Sequence, residues 1–303
     1  MSVSLYFSPT HLKLTVGSGD RGGFKIDDFG MYDLPDGAMI NGIITDEENL
    51  TRFLAEIGSA LGVLKQEARL VIANNSIRSK IIDVPAVSEQ RTLEFIGREL
   101  GAVDGTEEED VYDYAVLIPK LPGGGTRILA VAVGKSMLLS YRNALTGAGW
   151  NLKVIGIGMG AEIRLAGILP QLSTGSCILT EVDGKYLRLT LFENGNYLIT
   201  NRHRLLNADD TTEWFGEIGN HLSSMIQFHK SQRTDFEITN AYFAGVTTTQ
   251  VAQLATALAY LGVHIGNLDL ADKVKLTGKI SAEKQSAFDP GKYMLNLGML
   301  LKK

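Results

Sequence analysis

The sequence predicts an α/β protein with one duplicated layer and a β-α-β-β-α module inserted into the first copy. A strand meander, a helix and a short buried strand follow one another twice, from Val3 to Ala73 and from Ser176 to Phe243. The stretch from Arg78 to Trp150 has its own turn signals and apolar faces. The chain of 303 residues is long enough for two such halves, each with its own core.

The first copy and the module carry distinct periodic patterns. Acidic residues begin a helix at Asp46, and the continuous apolar run Leu70–Ala73 is typical of a strand buried on both faces. The acidic run Glu107–Asp110 is predicted to be a solvated loop rather than a metal site, because like charges so close form a poor cation cage. The other predicted elements are strands Val3–Tyr6, Leu12–Val16, Phe24–Tyr32, Ile40–Ile44, Ser79–Val84, Val111–Ile118 and Arg127–Val133, and helices Ser88–Leu100 and Lys135–Leu145.

A glycine-rich turn, Gly156–Gly160, follows the apolar strand Leu152–Ile157 and precedes a helix predicted over Ala161–Leu169. We interpret it as a close-packed crossing between the two halves. The alternative is a dinucleotide-binding turn, which Asp183 would support. The GxGxG spacing, the short helix and the position in mid-chain favour the crossing.

The second copy repeats the meander with strands Ser176–Val182, Tyr186–Phe192 and Asn196–Thr200. The Asn194-Gly195 pair between apolar runs predicts a tight hairpin. Helices are predicted over Asp210–Phe228 and Thr248–Leu261, on either side of a short strand at Ala241–Phe243.

Composition excludes several classes of protein. A net charge of -5 argues against a nucleic-acid binder. The single cysteine, Cys177, excludes an internal disulfide and is predicted to be a buried strand thiol. The opening residues lack a signal-peptide pattern, and no run approaches the ~20 apolar residues of a membrane helix, so we expect a cytoplasmic protein. No histidine pair has metal-ligand spacing and there is no G-x-S-x-G motif.

Several segments, in this order and spacing, resemble the PilM family of type IV pilus assembly proteins, which belongs to the actin-like superfamily and is related to FtsA. The segments are Ile81–Pro85 followed by the helix from Ser88, Leu129–Val133, Ala148–Trp150, Ile218–Phe228 and Leu295–Met299. The resemblance implies a duplicated ribonuclease-H-like fold. It implies a first half at 1–77, an inserted subdomain at 78–150, a return and crossing at 151–173, a second half at 174–287 and a closing helix at 288–303 packed on the first half.

The resemblance also implies where a nucleotide would bind, namely in the cleft between the halves, on two hairpins and an adenosine turn. The first hairpin should read Asp-x-Gly-Ser-Ser, but here Tyr6–Thr10 lacks both the Asp and the Gly, and Pro9 removes an amide donor. We therefore expect ATP-Mg²⁺ binding to be weak or lost, and hydrolysis to be absent. The candidate residues are Ser8, Thr10 and Lys13 in the first hairpin, Asp183, Gly184 and Lys185 in the second, and Ala244 and Gly245 in the adenosine turn.

The resemblance finally implies a cytoplasmic scaffold on the inner face of the membrane. Such a scaffold grips the N-terminal tail of a PilN-like membrane protein in a groove beside the insert and reaches the pilus motor ATPases indirectly. Candidate contact residues are Ile82, Phe95 and Arg98. The alternative is an active FtsA-like ATPase that polymerises or tethers to the membrane through its tail, Tyr293–Lys303. Homo-oligomers are compatible with both.

Overall fold

The computed structural model describes residues 2–101, 109–232 and 236–301. The strands are β1 Ser2–Phe7, β2 His11–Asp20, β3 Gly23–Asp33, β4 Met39–Ile40, β5 Ile43–Ile44, β6 Glu67–Ile72, β7 Arg78–Val84, β8 Asp110–Ile118, β9 Thr126–Gly134, β10 Asn151–Ile157, β11 Ser176–Asp183, β12 Tyr186–Glu193, β13 Asn196–Arg204, β14 Ile238–Ala244, β15 His264–Asn267 and β16 Val274–Leu276. The α-helices are α1 Glu47–Leu61, α2 Glu89–Leu100, α3 Lys135–Gly147, α4 Gly158–Ala166, α5 Pro170–Ser173, α6 Thr212–Ser231, α7 Thr248–Ala257, α8 Ala282–Ser286 and α9 Met294–Leu300.

Two sheets share one topology, which confirms the predicted duplication. The first sheet has the order β10-β6-β1-β2-β3, with β16 added beside β3, and the second has the order β13-β12-β11-β14-β15. In each, three antiparallel strands are followed by two parallel ones. Of the parallel strands, β6 and β14 carry the continuous apolar runs that strands covered on both faces require.

Helices α4 and α9 lie between the two sheets. Side chains of both sheets and both helices form one buried cluster, which includes Cys177, as predicted. Gly298 of α9 lies so close to α4 that a Cβ atom there would be 2.4 Å from the carbonyl oxygen of Ala161. Asn296 donates from Nδ2 to the backbone oxygens of Ser4 and Lys13, which fixes α9 on the first hairpin. All seven residues of α9 are buried.

The outer faces of the sheets are covered by helix pairs. Helices α1 and α3 cover the first sheet, and α6 and α7 cover the second. Asp46 caps α1 by accepting from the amide of Asn49, and Gly62 ends it with φ 64°, a left-handed conformation that glycine adopts at little cost. The Asn194-Gly195 turn has φ of 49° and 77°, the geometry that a tight hairpin needs.

The insert is a three-stranded sheet, β7-β9-β8, with α2 on one face. The opposite face packs toward the body of the protein through Leu129 and Val131. Helix α3, the last helix of the predicted insert, packs on α1 and β10 through Tyr141 and Leu145. It thus occupies the place in the first half that α7 has in the second. The limits predicted from the sequence for the two halves, the insert (78–150) and the closing helix remain predictions.

Three element predictions differ from the structure. Ile40–Ile44 is a tight hairpin rather than one strand, because Asn41 and Gly42 both adopt positive φ. The helix predicted from Ala161 begins at Gly158, so the glycine-rich turn supplies its first turn. The helix predicted to reach Leu261 ends at Ala257 and is followed by a short 3-10 turn. Of the acidic run Glu107–Asp110, the first two residues lie outside the described residues. The prediction of a solvated loop is wrong for Asp110, which begins β8 and pairs with Arg78, and Glu109 pairs with Lys135.

Candidate functional site

An ion pair joins the two hairpins that face each other across the cleft. Lys13, on β2, donates from Nζ to Oδ1 of Asp183, at the end of β11, over 2.8 Å. The two side chains are only 4% and 11% exposed, so water screens the pair weakly. Lys13 and Asp183 are therefore bonded to each other. The resemblance implied that they would instead bind phosphate and Mg²⁺.

Tyr6 fills the space beside this ion pair. Its hydroxyl donates to Oδ2 of Asp183 over 3.2 Å, and the residue is 3% exposed. Burial and the negative charge of Asp183 raise the pKa of Tyr6 well above its usual value, so the phenol stays protonated as a donor. Tyr6 opens the first hairpin segment, at the position where the resemblance implied a carboxylate.

A second buried cluster continues from Tyr6 into the second sheet. Arg188 on β12 lies against the carboxylates of Glu181 and Glu162, the latter at 3.4 Å from Nε to Oε1. Thr190 donates to Oε2 of Glu162 over 2.9 Å. Because Glu162 belongs to α4, the cluster ties that helix to the second sheet.

One guanidinium neutralises only one of these two carboxylates fully. Burial raises the pKa of Glu162 to about 7, even though Arg188 lowers it, and the charge of Glu181 raises it further. Burial disfavours the charged form of Arg188, but Glu181 and Glu162 together raise its pKa above the usual value. Burial thus brings the pKa of the Glu162 carboxyl group close to neutral pH.

The remaining residues predicted on the hairpins serve their own turns. The Ser8 hydroxyl accepts from the amide of His11, and the Thr10 hydroxyl lies 2.7 Å from Nδ1 of His11. Gly184 has φ 56° in the second turn, and Lys185 is exposed.

Ala244 and Gly245 lie at the end of β14, beside Glu181 and Val182 of β11, the two residues that precede Asp183. They line a cavity of about 670 Å³ at the carboxyl ends of β14 and β15, which Asp269 and Asp289 also line. Gly245 has φ 82°, and a Cβ atom there would meet the carbonyl oxygen of Val182 at 2.1 Å, so only glycine fits. Neither Lys13 nor Asp183 lines this cavity.

The β4-β5 hairpin reaches across the cleft, which the sequence did not predict. The Tyr186 hydroxyl on β12 donates to Oδ1 of Asn41 at the hairpin tip over 3.0 Å. The guanidinium of Arg202 lies 4.0 Å from the centre of the Tyr186 ring. Tyr141 of α3 holds the same tip by donating to the carbonyl oxygen of Gly42 over 2.7 Å.

An apolar groove separates the insert from the first half. It has a volume of about 230 Å³ and lies between β8 and β9 on one side and β10 on the other. Both β8 and β10 are edge strands of their sheets. Val111 and Val154 are 42% and 38% exposed on opposite sides of the groove. The other apolar lining residues are Ile72, Ala115, Leu129, Val131, Val133, Leu138, Ile155, Ile157 and Met299.

The residues predicted to contact a partner lie on the opposite face of the insert. Ile82 packs with the cluster under α2, and Phe95 and Arg98 lie on α2 itself, with the Arg98 guanidinium 5.9 Å from the Phe95 ring centre. None of the three lines the groove.

Within residues 2–101, 109–232 and 236–301, no group of three or more His, Cys, Asp or Glu side chains could hold a metal ion. In the same ranges, no helix is long and apolar enough to cross a membrane.

We predict that Glu162→Gln flattens the dependence of stability on pH. The raised pKa of Glu162 means that its stabilising contribution is full below pH ~4.5 and is lost as pH rises through about 7. The amide keeps a neutral partner for Thr190 at every pH. The variant should gain stability relative to the natural chain as pH rises from 5.5 to 8.5, by about 2 kcal/mol. Thermal unfolding midpoints of both chains across this range measure the gain; a constant difference would contradict the assignment.

Comparisons with known proteins identify the fold. No protein-family model matches the chain, and no curated protein matches its sequence. A solved structure of a PilM-PilN type IV pilus biogenesis complex is similar with a TM-score of 0.80 and 17% identity, covering 99% of this chain and 97% of that one. The ethanolamine utilization protein EutJ from Carboxydothermus hydrogenoformans is similar with a TM-score of 0.50 and 11% identity, covering 99% and 88%. The chain has the PilM-type actin-like fold, as its sequence predicted.

Proposed function

We propose that this chain is a scaffold of a type IV pilus, or related secretion, assembly platform that binds the N-terminal tail of a PilN-like membrane protein. The observation that carries the proposal is the apolar groove between edge strands β8 and β10. The PilM-PilN complex, similar over 97% of its chain, supports a partner of this kind.

The groove has the features that an extended peptide requires. An edge strand presents unpaired backbone N–H and C=O groups, to which a peptide can add as a further strand. The apolar walls would receive alternate side chains of the peptide, and Val111 and Val154 already lie partly exposed on either side. Asp113 and Arg164 also line the groove and offer opposite charges to the polar groups of a peptide.

We infer that the cleft binds nucleotide weakly or not at all, so that the protein is not an enzyme. Lys13 and Asp183 neutralise each other, which removes the lysine from phosphate and the carboxylate from Mg²⁺. The Tyr6 side chain supports the same inference, because it stands beside them in place of a carboxylate. Mg²⁺ needs hard oxygen ligands in near-octahedral geometry, which a phenol and an ion-paired carboxylate do not supply.

We also propose a subcellular localisation for the protein. The chain would act in the cytoplasm, at the inner face of the membrane, and would reach that membrane through its partner. Its contact with motor ATPases would be indirect. Self-association into homo-oligomers is compatible with the proposal.

The second candidate is an active actin-like ATPase. Two observations favour it: the second hairpin keeps Asp183-Gly184, and Ala244 and Gly245 line a cavity of about 670 Å³. This reading requires the Lys13–Asp183 pair to open so that both groups can bind ATP-Mg²⁺.

We predict that Val154→Glu weakens binding of the PilN-like tail at least tenfold, about 1.4 kcal/mol, because it places a charge in an apolar groove. A synthetic peptide of that tail, titrated calorimetrically into the full chain, measures the effect. Val116→Glu is the matched control: Val116 is 49% exposed on β8 but does not line the groove, so its variant should bind normally.

Helix α2 carries the alternative partner site that the sequence predicted, at Phe95 and Arg98. Phe95→Ala and Arg98→Ala should leave peptide affinity unchanged. Loss of binding in these two variants but not in Val154→Glu would move the partner site to α2. No binding of the tail to the natural chain would refute the scaffold proposal.

We predict that millimolar ATP-Mg²⁺ leaves the thermal unfolding midpoint of the chain unchanged. A ligand that binds only the folded state stabilises it by mass action, so the ATPase candidate requires an increase. The control is sodium chloride with magnesium at equal ionic strength. An increase that Asp183→Asn abolishes, together with ATP turnover, would establish the second candidate instead.

A further inference from the structure

We propose that the outer face of helix α6 is the interface of a homodimer, in which α6 packs antiparallel on α6 of a second copy around a twofold axis. Helix α6 runs from Thr212 to Ser231 and covers the second sheet together with α7. The apolar groove lies elsewhere, because its described lining includes no residue of α6 or α7. The proposal therefore does not depend on the proposed function.

The surface that α6 and α7 form carries few charges. Charged residues make up 21% of the chain, yet neither 218–229 nor 238–268 contains an Asp, Glu, Lys or Arg. Helix α1, which covers the first sheet, carries four charged side chains in 15 residues. A surface whose centre is depleted of charge is typical of a protein–protein interface. Within 218–229 the exposed side chains are Asn220, Ser224, Gln227 and Phe228.

Two apolar side chains stand on opposite flanks of one turn of α6. Leu206 and Tyr260 are 80% and 67% exposed, the highest values among the large apolar side chains of the described residues. The amide of Leu206 donates to both carboxylate oxygens of Glu217, over 3.0 and 3.1 Å. The Tyr260 hydroxyl lies 2.5 Å from the place of an added Cβ atom at Gly219. Positions 217 and 219 are two residues apart, which places them on opposite flanks of a helix.

The helix surface between these two side chains is flat. Gly216 is exposed, and an added Cβ atom there would meet no other atom within 4 Å. Asn220 is exposed one turn later. Leu206 and Tyr260 thus form the two walls of a trough whose floor is α6. A second helix can pack into such a trough, with its side chains between the walls.

The charges at the two ends of α6 identify the second helix as another copy of α6. Glu213 lies in the first turn and Lys230 in the last, and both are exposed. They are equally distant from the middle of the helix, between His221 and Leu222. An antiparallel copy therefore places each Glu213 opposite Lys230 of the other copy, as a twofold interface requires.

The same arrangement also pairs apolar side chains. It brings Leu206, beside the first half of α6, against the second half of the other α6, where Phe228 is 41% exposed. Glu217 and Phe228 are eleven residues apart, close to three full turns, so Leu206 and Phe228 lie on the same flank of the helix. Each of the two contacts occurs twice in the dimer.

Sedimentation velocity of the full chain, from micromolar to submillimolar concentrations, measures the self-association. A reversible monomer–dimer equilibrium is expected, and Leu206→Glu should weaken it at least tenfold because it places a charge in the apolar contact. Leu206 is exposed in the single chain, so this variant should keep the natural unfolding midpoint at low concentration. Ile43→Glu is the matched control: Ile43 is 51% exposed, lies on β5 of the first half, and its variant should dimerise normally.

Charge reversal tests the antiparallel arrangement. Glu213→Lys and Lys230→Glu each bring like charges together across the axis. Each should weaken dimerisation about tenfold, because the symmetry makes every substitution act twice. The double variant restores opposite charges and should dimerise like the natural chain. Failure of the double variant to recover would overturn the arrangement.

Cross-linking tests the position of the axis. The only cysteine of the chain, Cys177, is buried, so a disulfide-linked dimer reports an introduced thiol. Across the axis, Asn220 is offset from its own copy by ~4.5 Å along the helix, whereas Gln227 is offset by ~16.5 Å. Asn220→Cys should therefore cross-link on mild oxidation, and Gln227→Cys should not.

Three results would each overturn the proposal: a chain that stays monomeric at every concentration, equal weakening in Leu206→Glu and Ile43→Glu, or cross-linking through Gln227→Cys rather than Asn220→Cys. Val154→Glu, the groove variant, should dimerise like the natural chain. The peptide titration and the sedimentation experiment can thus fail separately, which distinguishes this proposal from the scaffold proposal.

Discussion

The buried pair of Lys13 and Asp183 is the interaction on which the cleft depends. It joins the two hairpins through charges that are almost fully withdrawn from water, with Tyr6 bonded to the same carboxylate. Breaking a buried pair on one side leaves an uncompensated charge, which typically costs 3–5 kcal/mol. The two halves are thus held together by protein atoms at the cleft between the two hairpins.

Helix α4 connects the cleft with the groove. Its first residue lies beside Arg188, Glu162 belongs to the buried charge cluster, and Arg164 lines the apolar groove. Arg164 also donates to the carbonyl oxygen of Gly298, which joins α4 to α9. A peptide in the groove would therefore contact a helix that also carries part of the buried charge cluster. The side chains that fix α4 determine how rigidly one side of the groove is held.

Periodicity and turn chemistry predicted most of the fold. The duplicated meander, the buried strand thiol of Cys177 and the Asn194-Gly195 hairpin all follow from local patterns. Local patterns did not indicate that α3 packs on the first half, because an apolar helix face does not specify its partner. The start of helix α4 at Gly158 was also not predicted. Glycine disfavours a helix, but at this position only glycine leaves room for the close approach of the Arg188 side chain.

The candidate site was predicted less completely than the fold. Lys13 and Asp183 were identified individually, yet their pairing joins residues 170 positions apart and leaves no spacing signal. The pairing of Glu162 with Arg188 likewise joins residues that are distant in sequence and leaves no spacing signal. Ile82, Phe95 and Arg98, which were predicted to contact a partner, belong to the face of the insert that carries α2 and do not line the groove. The alternation of side chains along β8 and β9 separates the two faces of the insert sheet. It does not tell which face lies toward β10, because that depends on how the insert packs on the first half.

Amide hydrogen exchange of the full chain, with the PilN-like tail and separately with ATP-Mg²⁺, tests the central claim most directly. The account predicts that the tail slows exchange in Asp110–Ile118 and Asn151–Ile157, whereas ATP-Mg²⁺ leaves the turns at Ser8–Thr10 and Asp183–Lys185 unchanged. Protection of those turns by ATP-Mg²⁺, with no protection of the two edge strands by the tail, would contradict it.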